Sequence, residues 1–221
     1  PAVAGDGNVY IGDNENYFYA ISSEGKLIWR HKVPGRLGDA TSSIADDGTA
    51  LITTETGRLY AVSPEGEILW ASNGDWLAVT SPITTSDGLA IVGAKKPGLT
   101  NGQYERLAAV DRWGNTVWEI STQGEVGDAP VIDADGTIYF GTQRGYFYAV
   151  TPDGNVKWHF RLGGRITSSP AITAEGLALI GSQDGYLFAV SPNWEIVWNY
   201  YAGEMIRHAS PAVATDGTIY F

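Results

Sequence analysis

One phrase occurs six times along the chain. PAVAGDG at Pro1 comes back as SSIADDG at Ser42, PITTSDG at Pro82, PVIDADG at Pro130, PAITAEG at Pro170 and PAVATDG at Pro211. The offsets are 41, 40, 48, 40 and 41 residues. A second phrase keeps the same phase: AISSEGKLIW from Ala20, AVSPEGEILW from Ala61, AVDRWGNTVW from Ala109, AVTPDGNVKW from Ala149 and AVSPNWEIVW from Ala189. In each copy Trp follows Ala by nine positions. Two markers in register through five units define an internal repeat, one supersecondary unit per copy. The units run 1–41, 42–81, 82–129, 130–169 and 170–210, with a partial sixth over 211–221.

Each unit reads as four short strands. In the fourth, Ala129–Asp133 leads through an Asp135–Gly136 turn to TIYFG, then a QRG turn, YFYAV, a TPDG turn and NVKWHF. Asp-Gly between apolar runs marks a hairpin, because Gly accepts the positive φ that the turn demands. No amphipathic helix is legible. A lone four-stranded meander exposes two apolar faces and two edges. Stacking each unit on the next buries both faces, so the repeat must come as an array. The expected fold is all-β: a β-propeller of four-stranded antiparallel blades of about 40 residues, forming a single domain over 1–221. It has five full blades and the first two strands of a sixth. Pro211–Phe221 duplicates Pro1–Ile11, so the chain reads as a segment of a propeller of six to eight blades. Failing that, the extra strands pair with another chain or cap an open edge.

The in-phase Trp29, Trp70, Trp118, Trp158 and Trp198 fall on the fourth, outer strand. Large indoles there are expected to wedge between neighbouring blades, as framework rather than as a ligand platform.

Composition narrows function by exclusion. Lys and Arg number 14 against 25 Asp and Glu, a net charge of −11. A surface that acidic repels phosphate backbones and anionic headgroups, which disfavours nucleic acid and membrane surfaces, although a local basic patch remains compatible. No apolar run reaches the roughly 18 residues of a spanning helix, so no direct membrane insertion is expected. There is no Cys, hence no disulfide framework, thiolate metal site or thiol nucleophile.

The phrases SPAITAEGLALIGSQDGYLFAV and AVSPEGEILW resemble the pyrroloquinoline-quinone-type (PQQ-like) propeller repeat. The resemblance covers essentially the whole chain and is stronger to BamB-like propellers than to quinoprotein dehydrogenases. It implies a propeller outside the cytoplasm (periplasm, cell surface or secreted) that serves as a protein-binding platform and not as an enzyme. The dehydrogenases space Ala and Trp ten apart, pair neighbouring cysteines against the quinone and hold calcium with Glu, Asn and Asp. None of those features maps onto this chain, so no cofactor is expected.

Function is sought where units differ. In a four-strand meander the first and third turns share one edge, and the second turn and the connector share the other. The first and third turns here are mostly stereotyped; the connectors are not. Six positions before each unit stand Arg36, Trp76, Gly124, Gly164 and Met205; one later come Leu37, Leu77, Glu125, Arg165 and Ile206. Asp75, Arg207 and His208 are close by, and eight extra residues within AKKPGLTNGQYER add Lys95, Lys96 and Tyr104. Trp, Tyr, Arg and Met gathered on one edge match the composition of protein-binding hot spots. The expected partner-binding face is Arg36, Asp75, Trp76, Lys95, Lys96, Tyr104, Arg165, Met205, Arg207 and His208; oligomeric state is left open.

Catalytic chemistry is thin. His31, His159 and His208 occupy different phases of the repeat, so symmetry does not bring them to one metal. Asp-Gly pairs such as Asp6–Gly7, Asp47–Gly48 and Asp135–Gly136 lack EF-hand spacing and are explained by hairpin geometry. Two other function classes stay open: a quinoprotein oxidoreductase fragment, and a glycan-binding surface propeller using Trp76, Trp113 or Trp194.

Overall fold

The computed structural model describes residues 1–37, 42–73, 75–97 and 105–221. Among the described residues there is no helix. The strands form antiparallel sheets, each a meander in chain order. Blade one is Ala2–Val3, Val9–Gly12, Tyr17–Ile21 and Leu27–Lys32. Blade two is Ser43–Ile44, Ala50–Thr53, Leu59–Val62 and Ile68–Ala71. Blade three is Ile83–Thr84, Ala90–Lys95, Glu105–Val110 and Thr116–Ser121, with Leu77–Ala78 added against its second strand. Blade four is Val131–Ile132, Ile138–Gly141, Tyr146–Val150 and Val156–Arg161. Blade five is Ala171–Ile172, Ala178–Gly181, Tyr186–Val190 and Ile196–Tyr201, followed by the pair Ala212–Val213 and Ile219–Tyr220. This is the all-β blade architecture that the repeat implied.

The nine-residue Ala-to-Trp spacing has a structural cause. Ala20, Ala61, Ala149 and Ala189 sit directly across the ladder from Trp29, Trp70, Trp158 and Trp198. A register shift follows each of these alanines. A methyl opposite an indole leaves room for the ring, and the shift is the one extra residue that a β-bulge introduces.

The chain divides into two compact units, Pro1–Gly98 with Ala108–Glu119 and Leu99–Leu107 with Ile120–Phe221. In the first, period-two alternation loads both faces of blade two. Ala50, Ile52, Tyr60 and Val62 pack with Tyr10, Phe18 and Ala20 of blade one. Their sequence neighbours Leu51, Leu59 and Ala61 pack with Ala90, Val92, Ala108 and Val110 of blade three. The second unit repeats the device. Ala178, Ile180, Phe188 and Val190 of blade five join Tyr139, Phe147 and Ala149 of blade four, whereas Leu179, Leu187 and Ala189 face Ile206, Val213 and Ile219. A strand buried on both faces has nothing to offer solvent except its ends, so the turns and connectors carry whatever the molecule presents.

Trp29, Trp70, Trp118, Trp158 and Trp198 are all half-buried. Three of them reach the following blade: the indole N–H of Trp29 donates to the Pro64 carbonyl, that of Trp70 to Arg112 and that of Trp158 to Pro192. Trp198 packs against the cluster containing Leu179, Val213 and Ile219.

Candidate functional site

The connector edge is built by one recurring arrangement. The second strand of blades one, four and five ends in Gly12, Gly141 and Gly181. Over each glycine lies an apolar connector side chain, Leu37, Ile166 or Ile206, in the space a Cβ would need. All three are buried. The residue just before the plug is Arg36, Arg165 or Met205, and each is exposed. Its backbone is fixed as well: the carbonyls of Arg36 and Arg165 accept the N–H of Glu55 and Gln143's counterpart Gln183, at 2.7 and 2.8 Å. Glu125 does the same for Gln143 at 2.8 Å. Arg36, Glu125 and Arg165 are therefore held by their backbones, and Met205 by the buried Ile206 beside it.

This geometry corrects the register obtained by counting back from each repeat start. Leu37 and Ile206 lie five residues ahead of Ser42 and Pro211, but Ile166 lies four ahead of Pro170. Arg165 is thus the counterpart of Arg36 and Met205, not of Leu37 and Ile206.

Trp76 is the second correction. It is 4% exposed, packed with Leu51, Leu59, Ala61 and Val92, and its indole N–H donates to Thr116 Oγ1 at 3.2 Å. The cause is local. Leu77–Ala78 joins blade three as an added strand, pairing with Lys95 and Ala94, and this draws the preceding indole beneath the sheet. Trp76 cannot stack on a partner or a sugar. The exposed indoles are Trp113 and Trp194, at 66% and 64%.

The remaining expected residues distribute as follows. Arg36 faces Glu55 at 3.8 Å and Lys96 faces Asp75 at 2.8 Å, surface pairs worth about 0–1 kcal/mol each. Lys95 and Lys96 are half-buried. Met205, Arg207 and His208 are exposed together, with the Arg207 guanidinium 3.7 Å from the Met205 sulfur. His208 has φ +53°, a left-handed conformation uncommon outside glycine. Tyr200 and Tyr201, at the end of the strand leading into this connector, are exposed too. Tyr104 lies outside the described residues.

Sequence comparison passed over Arg144 and Arg161. With Gln123, Gln143, Tyr146 and Arg165 they line a groove of about 520 Å³ at the second-turn and connector edge of blade four. The signal was available: Arg144 stands in a turn where blades two and five carry Thr56 and Asp184.

The shifted carboxyls belong to turns, whereas burial raises the strand tyrosines Tyr10, Tyr139 and Tyr148. Burial raises the Asp133 carboxyl, while its hydrogen bond with Asp133 pulls Asp135 down to about 2, helped by Thr137 and Lys157. The pair closes the first turn of blade four. Asp133 accepts the N–H of Asp135 and Thr137 at 3.1 and 2.9 Å, and Asp135 accepts the Thr137 hydroxyl at 2.6 Å. Asp-Gly here is hairpin chemistry. His31 packs edge-on to Trp29 and His159 stacks on Tyr148. Among the described residues no three His, Cys, Asp or Glu side chains form a metal-holding group. The chain contains no Cys.

The family model described as outer membrane protein assembly factor BamB matches residues 1–100 and 103–221. The chain belongs to the BamB family. Solved structures share the fold of this BamB-family chain at low identity. BamB from Moraxella catarrhalis is 14% identical with a TM-score of 0.59, over 99% of this chain and 77% of that one. A Bacteroides caccae protein of unknown function is 14% identical with a TM-score of 0.61, over 96% and 80%. Quinohemoprotein alcohol dehydrogenase from Comamonas testosteroni is 15% identical with a TM-score of 0.70, over 90% of this chain but 42% of that one. At these identities the likeness establishes the fold alone. No curated protein sequence is similar enough to count as a match. Among the described residues no helix is long and apolar enough to cross a membrane.

Proposed function

We propose that this BamB-family chain is a non-catalytic protein-binding scaffold of the bacterial cell envelope, working outside the cytoplasm through its connector edge. The observation that carries the reading is the last complete connector. Met205 is 60% exposed although its neighbour Ile206 is locked over Gly181. Arg207, His208 and Tyr201 surround it in the chain, also exposed. An exposed thioether, guanidinium and phenol on a pinned backbone supply adaptable contact area at little ordering cost. The family model is described as an outer membrane assembly factor, which fits an envelope partner.

Replacing Met205 with Ser and Arg207 with Gln together is expected to abolish capture of the envelope partner, with the unfolding midpoint unchanged. Capture that survives both substitutions overturns the reading. The quinoprotein alternative has its own test: stoichiometric uptake of pyrroloquinoline quinone in the presence of calcium, seen as a bound chromophore, would displace the scaffold assignment.

A further inference from the structure

We infer that the groove lined by Arg144, Arg161 and Arg165 is an anion site for a phosphate-bearing ligand. The chain carries 14 basic residues against 25 acidic ones, yet three of the basic residues line one groove of about 520 Å³ whose lining includes no carboxylate. They come from three different segments: the second turn of blade four, the end of its fourth strand and the following connector. Like charges brought together from separate segments repel unless an anion joins them.

The groove is also constructed to hold them. Gly124 has φ +101°, and a Cβ there would lie 2.7 Å from Arg144 Cγ. The absence of that carbon gives the Arg144 stem its place. Arg165 donates to the Gln143 side-chain oxygen, and the Gln143 amide nitrogen donates to Glu125 at 2.9 Å. That relay aims one guanidinium while occupying Glu125. The guanidinium groups of Arg144 and Arg161 have no hydrogen-bond or carboxylate partner among the described residues. The neighbouring Asp184 is not a lining residue and its carboxylate is already engaged, accepting the N–H of Gly164 at 3.0 Å and the Ser182 hydroxyl.

Guanidinium forks match planar carboxylates and phosphates alike, but the charge count discriminates. A single carboxylate brings one negative charge to three cations. A phosphate monoester brings up to two, with three acceptor oxygens to divide among the forks.

Calorimetric titration of the whole chain with inorganic phosphate, with a hexose 1-phosphate, with vesicles containing phosphatidic acid (a monoester headgroup) and with octaglutamate tests this. Binding of phosphate or the sugar phosphate, weakened by salt and reduced at least tenfold in Arg144→Gln/Arg161→Gln, is the expected result. Vesicle binding with the same dependence assigns the source to a lipid headgroup; sugar phosphate alone assigns it to a soluble ligand. The control Arg30→Gln/Arg112→Gln carries the same net charge and should bind as wild type, with unfolding midpoints of both variants checked. No binding of any phosphate, equal loss in both variants, or binding of octaglutamate only would overturn the assignment. None of these outcomes bears on capture through Met205 and Arg207, so the two readings fail separately.

Discussion

The indole N–H of Trp29 donates to the carbonyl of Pro64 at 2.6 Å, joining blade one to the third turn of blade two across 35 residues of sequence. Trp70 does this to Arg112 at 2.7 Å and Trp158 to Pro192 at 2.8 Å. The acceptor is always the second residue of the S/D-P/R turn. In these three pairs one repeat supplies the donor and its successor the acceptor, a nearest-neighbour coupling of the kind that sets cooperativity in repeat proteins.

Removing the donor alone and removing the ring should separate two contributions. Trp158→Phe is expected to cost about 1 kcal/mol, the net worth of one hydrogen bond. Trp158→Ala should cost about 2–4 kcal/mol, because the half-buried ring also packs against the cluster of Tyr139, Phe147 and Phe188. Urea denaturation measures both. Equal costs for the two variants would mean that packing contributes nothing.

The plug beneath Met205 should be intolerant of one added carbon. A Cβ on Gly181 would lie 2.5 Å from Ile206 Cγ2, so Gly181→Ala is expected to destabilise by about 1–3 kcal/mol through overpacking. Combining it with Ile206→Ala should be less damaging than the two single costs added, since the second change vacates the space. Strict additivity in a double-mutant cycle would refute the contact.

Trp194 occupies a turn position where four other blades carry glycine. Gly25, Gly66, Gly114 and Gly154 have φ between +77° and +90°, and Trp194 has φ +65°. A side chain in the left-handed region costs about 1–2 kcal/mol. Its ring is exposed, so little packing offsets that cost. Trp194→Gly should therefore stabilise by about 1 kcal/mol, read as a higher unfolding midpoint. A lower midpoint would show that the indole contributes to the fold.

Asp13 gives a pH signature in the second turn of blade one. The Tyr19 hydroxyl donates to it at 2.7 Å, and the backbone N–H groups of Tyr17 and Glu15 add bonds at 2.9 and 2.8 Å. The Tyr19 bond is the main cause that holds this carboxyl below its ordinary value. Because the folded value is the lower one, the stabilisation is present above the unfolded pKa of roughly 3.9 and is lost as pH falls through the folded value. Carboxyl NMR titration should give a depressed midpoint that rises in Tyr19→Phe; an unmoved midpoint would contradict the assignment.

Much of this was legible in the sequence because the repeat is read twice, once by the Asp-Gly turns and once by the Ala-to-Trp spacing. Both signals report local geometry: a hairpin turn and a cross-strand pair. The connector edge was less legible. Its register depends on which side chain covers a glycine, as Ile206 covers Gly181 and Ile166 covers Gly141, and a one-residue change in connector length moves that assignment without any local mark. Trp76 was misplaced for a related reason. Whether a connector residue points outward depends on Leu77–Ala78 pairing with the strand that contains Ala94 and Lys95, a long-range pairing that recurs in blade four as the Val126–Thr142 bridge. Arg144 is far from Arg161 and Arg165 along the chain, so only folding brings the three to one groove.

The most direct test of the scaffold account is photo-crosslinking in the living envelope. A photoreactive residue would be placed in turn at Met205, at Arg207 and, as controls on the stereotyped turns, at Glu24 and Asp153. The account predicts one discrete protein adduct from positions 205 and 207 and none from positions 24 and 153. Adducts from the turn positions with none from the connector would contradict it.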